Sequence, residues 1–377
     1  MPRTKKATPD TSGRPVQQGA VPAEELKQPF PPINLPIRPP FAPMEAKSVE
    51  SIPAGDGWSY EPKWDGFRCL AFRKGDEVLL QSKSGQPLGR YFPELVEALA
   101  KLTHSRFVVD GEIVIVHDGH LSFDDLLLRI HPAASRIRKL SVETPATLLL
   151  FDILLDDVDV LTEFPLVDRR EKLKQWFKGL GRHPRIRLSP STTSQDEAER
   201  WIRELGASGF DGVVAKRLDA AYLSGERAMQ KIKRIRTADC VIGGFRYAQK
   251  GGQIGSLLLG LYNQEGLLDH VGFTSSFNRE DRKALKPVIL PLSGGEGFTG
   301  HAPGGPSRWS TRRSDDWVPL KPKLVCEVQY DHFSGRFRHG TKFLRWRPDK
   351  APKQCTFEQV LPSHSRGGLK QFGLEAA

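Results

Sequence analysis

Glu61-Pro62-Lys63-Trp64-Asp65-Gly66-Phe67-Arg68 sets a lysine two residues ahead of an Asp-Gly pair, at the junction of two strand-like stretches. Downstream, FRCLAF (67–72), EVLLQS (77–82), FVVDGEIVIV (107–116) and TLLLFDILL (147–155) are dense in Val, Ile, Leu and Phe and predict strands. Between them PELVEALAKL (93–102) opens on proline with Leu95, Leu99 and Leu102 at helical spacing. QDEAERWIRELGAS (195–208) carries its acids early and predicts a helix ending at Gly206. Strands alternating with helices up to about residue 237 indicate a mixed first domain.

Beyond Thr237 the texture changes. DCVIGGFRY, GSLLLGLY, LLDHVGFT and VCEVQYDHF read as short strands separated by turn residues, with one helix at NREDRKALKPVI (278–289). That pattern predicts a small β-barrel. The expected organisation is an arm over 1–40, disordered and then extended; a first domain over 41–237; a barrel over 238–362; and a flexible tail over 363–377, with a hinge near Thr237 and Ala238. The arm follows from QPFPPINLPIRPPFAP (28–43), where proline sustains neither helix nor strand.

The chain of 377 residues carries a formal charge of +11. Residues 238–377 hold 20 basic and 13 acidic side chains, so the surplus is concentrated there and favours a polyanionic partner. The polar start and the lack of a long apolar run point away from a signal peptide and a membrane span, and toward a soluble, cytoplasmic, nucleoid-associated protein. Cys69, Cys240, Cys326 and Cys355 show no paired spacing, so packed, reduced thiols are expected. His117-Asp118-Gly119-His120 reads as a hairpin turn rather than a metal cluster, and no G-x-x-x-x-G-K-[ST] loop occurs.

A lysine attacks phosphorus only when neutral, and at pH 7 about one free lysine in 2,500 is neutral. Nearby cations and a metal would favour the neutral amine. GFDGVVAKR (209–217) ends in Lys216-Arg217, and RAMQKIKRIRT (227–237) packs Arg227, Lys231, Lys233, Arg234 and Arg236 with no acid among them. Strand alternation sets Lys231 and Lys233 on one face, pointing into a common site; a solvated basic edge strand is the structural alternative. Asp110 and Glu112 interrupt an apolar run, which suits a metal or ribose partner, or else a turn or surface-facing pleat. Phe151 could offer its face to a purine or simply fill core.

Taken in order, Lys63-x-Asp65-Gly66, Asp110-Gly111-Glu112, Phe151-Asp152, Asp211 to Lys216, Lys231-Ile232-Lys233 and Arg347-Pro348-Asp349-Lys350 resemble the covalent lysine nucleotidyltransferases, most closely bacterial ATP-dependent DNA ligases of the C type. The resemblance runs from about Pro39 to Val360. It implies an α+β protein: a nucleotidyltransferase (ATP-grasp-like) domain of mixed sheets and helices, followed by an OB-fold barrel. Lys63 would be the nucleophile taking AMP from ATP. Arg68 and Glu112 would hold the ribose, Phe151 would stack on adenine, and Glu61 would lie near the base. Lys216, Lys231, Lys233 and Arg227 would hold the α-phosphate, with Lys83 where an arginine is common. Arg347 and Lys350 would swing in to orient pyrophosphate. Glu112 and Asp211 would serve Mg²⁺, or Mn²⁺ in its stead; Asp211 is one methylene short of the glutamate many ligases carry. The implied substrate is nicked double-stranded DNA, met by a monomer in DNA repair. RNA ligation, mRNA-type capping and a non-catalytic DNA-binding module are the rival readings.

Overall fold

The computed structural model describes residues 30–361, except 182, 205–209, 249–251, 305–315, 332, 338 and 339, together with Leu369, Phe372 and Leu374. In the first domain the strands are β1 (Ala46–Val49), β2 (Trp58–Lys63), β3 (Phe67–Lys74), β4 (Glu77–Ser82), β5 (Arg106–Val114), β6 (Thr147–Asp156), β7 (Ile186–Leu188), β8 (Gly212–Arg217) and β9 (Met229–Lys233). Its helices are α1 (Pro93–Ala100), α2 (Phe123–Arg129), α3 (Ala134–Glu143), α4 (Leu166–Lys178) and α5 (Gln195–Glu204). The second domain is built from β10 (Arg236–Tyr247), β11 (Ile254–Tyr262), β12 (Leu268–Ser276), α6 (Arg279–Ile289), β13 (Val325–Tyr330) and β14 (Thr341–Trp346).

Two sheets organise the first domain. One has the order β1-β9-β8-β2, the other β7-β6-β5-β3-β4. β5 and β6 are buried along most of their length, which is why their sequences are nearly continuous in apolar residues rather than alternating. One buried cluster joins Tyr60, Val213 and Ala215 of the first sheet to Val114 and Leu149 of the second. That shared core fixes the two sheets against each other, and the site described below lies between them.

The second domain closes on itself. β10 pairs antiparallel with β11 and β13, β11 with β12, and β13 with β14, while β12 and β14 pair in parallel. The pairing therefore runs round as β10-β11-β12-β14-β13 and back to β10. Ile242, Leu257, Leu259, Val271 and Val328 fill the inside, and Leu285 and Ile289 from α6 join that core. Asn278 caps α6 by accepting from Asp281 N at 2.7 Å.

Several expectations change. The arm over 1–40 divides: Ile33, Leu35 and Ile37 are buried with Leu70, Phe72, Val108 and Leu154, because these apolar residues between prolines cover one face of the larger sheet. Residues 1–29 lie outside the described part, as does the helix end placed at Gly206. The hinge placed at Thr237 and Ala238 falls inside β10, where Thr237 pairs with Gln329 and Ala238 with Val328, so the link between the domains is Arg234-Ile235. The tail over 363–377 does not stand free at its described positions: Leu369 and Leu374 are buried beside Trp64 and Trp201 in the first domain. Helices α2, α3 and α4 and the strand β1 were not marked by the sequence patterns.

Among the described residues no helix is long and apolar enough to cross a membrane. All four cysteines are free and buried. The His117–His120 segment is a hairpin, with Asp118 and Gly119 both at positive φ as a tight two-residue turn requires.

Candidate active site

Strand register assembles the site. β8 lies between β2 and β9, so Val214 faces Glu61 on one side and Lys231 on the other, and Gly212 faces Lys63 and Lys233. Gly212 has φ +140°, and a Cβ there would sit 1.9 Å from the Ile232 carbonyl oxygen; no other residue lets these strands approach so closely. Gly66 answers the same need at the other sheet, where a Cβ would lie 2.3 Å from Ile113 O. The Asp-Gly pairs at 65–66 and 211–212 are thus close-approach positions that bring the strands around Lys63.

A cleft of about 240 Å³ opens between the sheets. Glu61, Lys63, Arg68, Lys83, Glu112, Phe151, Lys216 and Lys231 line it, together with Met44 and Glu45 from the end of the proline-rich segment. Phe151 enters it through a bulge. β5 and β6 pair Asp110 with Asp152 and Gly111 with Leu150, so Phe151 is the extra residue, left out of the ladder.

Asp110 anchors one wall. Its carboxylate takes Arg68 Nε and Nη2, both at 2.6 Å, and accepts from the Tyr222 hydroxyl at 2.6 Å. Arg68 is thereby held with its guanidinium 4.6 Å from the Phe151 ring centre. Glu61 and Lys216 form a second pair at 2.7 Å, both almost wholly buried, with the Lys216 ammonium 4.5 Å from the same ring. Glu61 spends one oxygen on Lys216; the other, Oε1, is buried without a partner in a residue that lines the cleft. A buried carboxylate oxygen left open is an acceptor waiting for a donor.

The electrostatics differ from the expectation that cations keep Lys63 neutral. Lys63 Nζ lies 2.6 Å from Asp211 Oδ2. Burial works against the ammonium, but Asp211, then Glu112 and Asp65, outweigh it and hold the amine above its ordinary range. The repulsion falls on Lys231 instead, whose pKa is lowered by burial and then by Lys63, Lys83, Lys233 and Arg227. Lys231 makes no ion pair among the described residues, although the Glu45 carboxylate in the same cleft feels its charge. Glu112 is pushed up to about 8, chiefly by burial, with Arg68 and Lys63 opposing and Asp110 and Asp65 adding to the rise.

Other cations sit elsewhere. Lys233 is outside the cleft lining and pairs with Asp331 of the second domain at 3.1 Å, because the end of β9 faces that domain. Arg227 is exposed and reaches Glu45 at 3.8 Å, as does Lys83 at 3.0 Å. Arg347 and Lys350 are drawn to Asp239, each at 2.8 Å, and do not line the cleft. Glu45, Met44 and Tyr222 escaped the sequence reading. The first two stood at the foot of the supposed arm, and Tyr222 acts only through partners distant in sequence; Asp110, marked in the sequence for a metal or ribose, is taken up by Arg68 and Tyr222.

Among the described residues no cluster of three or more His, Cys, Asp or Glu side chains could hold a metal by itself. Asp211, at 2.6 Å, and Glu112 and Asp65 nevertheless all act electrostatically on Lys63, so carboxylates gather around one amine. That donor set suits Mg²⁺, which takes one or two carboxylates and completes its shell with water and substrate phosphates.

Comparison with known proteins adds a family. A family model described as "ATP dependent DNA ligase domain" matches residues 43–233, and one described as "ATP dependent DNA ligase C terminal region" matches residues 250–350. The chain is 45% identical over 348 residues to DNA ligase C1 of Mycolicibacterium smegmatis, covering 87% of this chain and 96% of that one. It is 44% identical over 345 residues to DNA ligase C of Mycobacterium tuberculosis, again covering 87% and 96%. A solved structure from work on Lig E DNA ligases superposes with a TM-score of 0.51 at 16% identity, over 81% of this chain and 99% of that one, a likeness of fold alone.

Proposed function

The chain belongs to the ATP-dependent DNA ligases, and from that premise we propose that it seals nicks in double-stranded DNA by passing AMP through Lys63. The observation that carries this reading is the convergence of Lys63, Arg68, Glu112, Phe151, Lys216 and Lys231 on one cleft, from six separate strands. In the first transfer Lys63 Nζ forms a bond to the α-phosphorus of ATP and pyrophosphate leaves. An oxygen of the 5′-phosphate at the nick then takes the AMP and frees Lys63. Finally the 3′-hydroxyl attacks the activated 5′-phosphorus and AMP departs. Each transfer exchanges one phosphate bond for another, so positioning and charge neutralisation do most of the work.

The surroundings suit these roles. The open Glu61 Oε1 can accept from the exocyclic amine of adenine, whereas a guanine would present an oxygen to that carboxylate. Phe151 offers the base a ring, and Arg68, braced by Asp110, is placed for the ribose. Lys231, free of ion pairs, is the best-suited cation for the α-phosphate; Lys216 is committed to Glu61 and acts nearer the base. Lys63 must lose a proton before it attacks, so its tie to Asp211 has to loosen when nucleotide binds. Glu112 and Asp211 would hold Mg²⁺, which would supply positive charge against the triphosphate, and Asp211 would then be shared with the Lys63 amine.

We read the second domain as an OB-fold, on the strength of its closed strand order, the one parallel pairing between β12 and β14, and a helix between β12 and β13. Its basic surplus supports contact with DNA, and repair of nicks by a monomer is the setting we assign. The test is a gel of the protein mixed with α-labelled ATP and Mg²⁺ beside Lys63→Ala, followed by a chase with nicked DNA. Label is expected on the wild type alone, moving to DNA in the chase. A labelled Lys63→Ala protein would remove Lys63 from its role.

A further inference from the structure

Residues from beyond the second domain close an apolar nest under the nucleophile. Trp64 directly follows Lys63, and Phe210 directly precedes Asp211, the carboxylate that holds the Lys63 amine. The two rings are buried and lie 4.9 Å apart. Phe372 meets both, edge-on to Trp64 at 5.9 Å and tilted on Phe210 at 5.6 Å, and also meets Trp201 of α5 at 6.1 Å. Leu369 and Leu374, 1% and 4% exposed, complete the same cluster.

We propose that Phe372 is a positioning residue for the loading of AMP onto Lys63, acting through Trp64 and Phe210. The proposal rests on the reading of Lys63 as nucleophile and adds a part to it. Lys63 is the last residue of β2 and pairs there with Gly212, so the direction in which the chain leaves the ladder depends on what anchors the next residue. Trp64 has one polar tie among its contacts, Nε1 donating to Ser189 Oγ at 2.8 Å; the rest of its hold is apolar packing. Asp211 in turn hangs on a short backbone link, its N donating to Lys63 O at 3.1 Å. Phe372 is therefore the shared wall behind both partners of the Lys63–Asp211 contact. A reactive amine displaced by about 1 Å can lose on the order of 100-fold in rate.

The test uses the full chain with Phe372→Ala, Phe372→Leu and Lys63→Ala, and follows two reactions. One is single-turnover labelling of the protein from α-labelled ATP and Mg²⁺; the other is joining of a nick whose 5′ end already carries AMP, which needs no attack by Lys63. In Phe372→Ala, labelling at saturating ATP should fall roughly 10-fold or more, with half-saturation by ATP changed by less than about twofold and joining of the pre-adenylated nick nearly unaffected. Phe372→Leu, which keeps apolar bulk, should recover labelling to within about threefold of wild type. Unchanged labelling in Phe372→Ala overturns the proposal, as does an equal loss in both reactions, which would make the residue merely structural. Label retained by Lys63→Ala would strike the nucleophile assignment; a dead Lys63→Ala beside a fully active Phe372→Ala strikes this proposal alone.

Discussion

The Lys63 amine and the Asp211 carboxylate stand 2.6 Å apart, so the group that must attack is held in the form that cannot. Lys63→Arg separates the two properties. Arginine keeps the positive charge and can keep the pair with Asp211, yet it does not lose a proton at accessible pH. Self-labelling from α-labelled ATP should fall by about 1,000-fold or more, while the midpoint of thermal unfolding stays within a few degrees of wild type. Joining of a pre-adenylated nick should persist. Substantial labelling of Lys63→Arg would refute the role given to the amine.

Glu61 and Lys216 form a pair that burial makes costly to break from one side only. Lys216→Met leaves the Glu61 carboxylate buried and alone and should destabilise the protein by about 3 to 5 kcal/mol in urea unfolding. Glu61→Gln combined with Lys216→Met removes both charges and should recover most of that loss, although nucleotide binding would not return. Equal destabilisation in the single and double variants would show that the pair is not coupled.

How far the sequence could be read follows from where each signal lies. Lys63, Arg68 and Glu112 sit in compact motifs whose Asp-Gly pairs announce close strand approach, so the cleft that these residues line was visible in the text of the chain. Charge was not. The run from Arg227 to Arg236 contains no acid, but folding supplies acids from elsewhere, Glu45 to Arg227 and Asp331 to Lys233, just as Asp211 is brought to Lys63. Asp239 gathers Arg347 and Lys350 from more than a hundred residues away. Ile33, Leu35 and Ile37 were hidden by the prolines around them, which exclude helix and strand but not burial. Leu369, Phe372 and Leu374 are spaced by three residues and then by two, so no single helical or strand period runs through them and nothing local marked them as core.

Gly212 carries a steric claim that a single methyl group can examine. Its φ of +140° and the 1.9 Å approach to Ile232 O leave no room for a Cβ. Gly212→Ala should force β8 and β9 apart, lowering stability by more than about 2 kcal/mol and disturbing Lys63 on the adjoining strand. Loss of self-labelling should therefore accompany the drop in unfolding midpoint. Gly252→Ala, at an open turn with nothing within 4 Å of the new methyl, serves as the control and should leave labelling intact. A Gly212→Ala protein with wild-type stability and labelling would contradict the strand packing described above.

His270 of β12 ties stability to pH. It is 7% exposed, its Nδ1 faces Arg336 Nη2 at 2.8 Å, and its pKa is pushed down to about 3 by burial first, then by Arg336 and Arg246. In the unfolded chain the same ring titrates near 6.5. Between those values the unfolded state binds the extra proton, so the contribution of this site is complete above about pH 6.5 and drains away as pH falls toward 3. The slope approaches 1.4 kcal/mol per pH unit. His270→Gln cannot take up that proton. The variant should be less stable than wild type at pH 7.5, because a packed ring is lost, and its deficit should shrink by about 2 kcal/mol at pH 5.0. Urea unfolding of both proteins at the two pH values measures this directly, and a deficit that stays constant would mean the folded protein accepts a charged His270 after all.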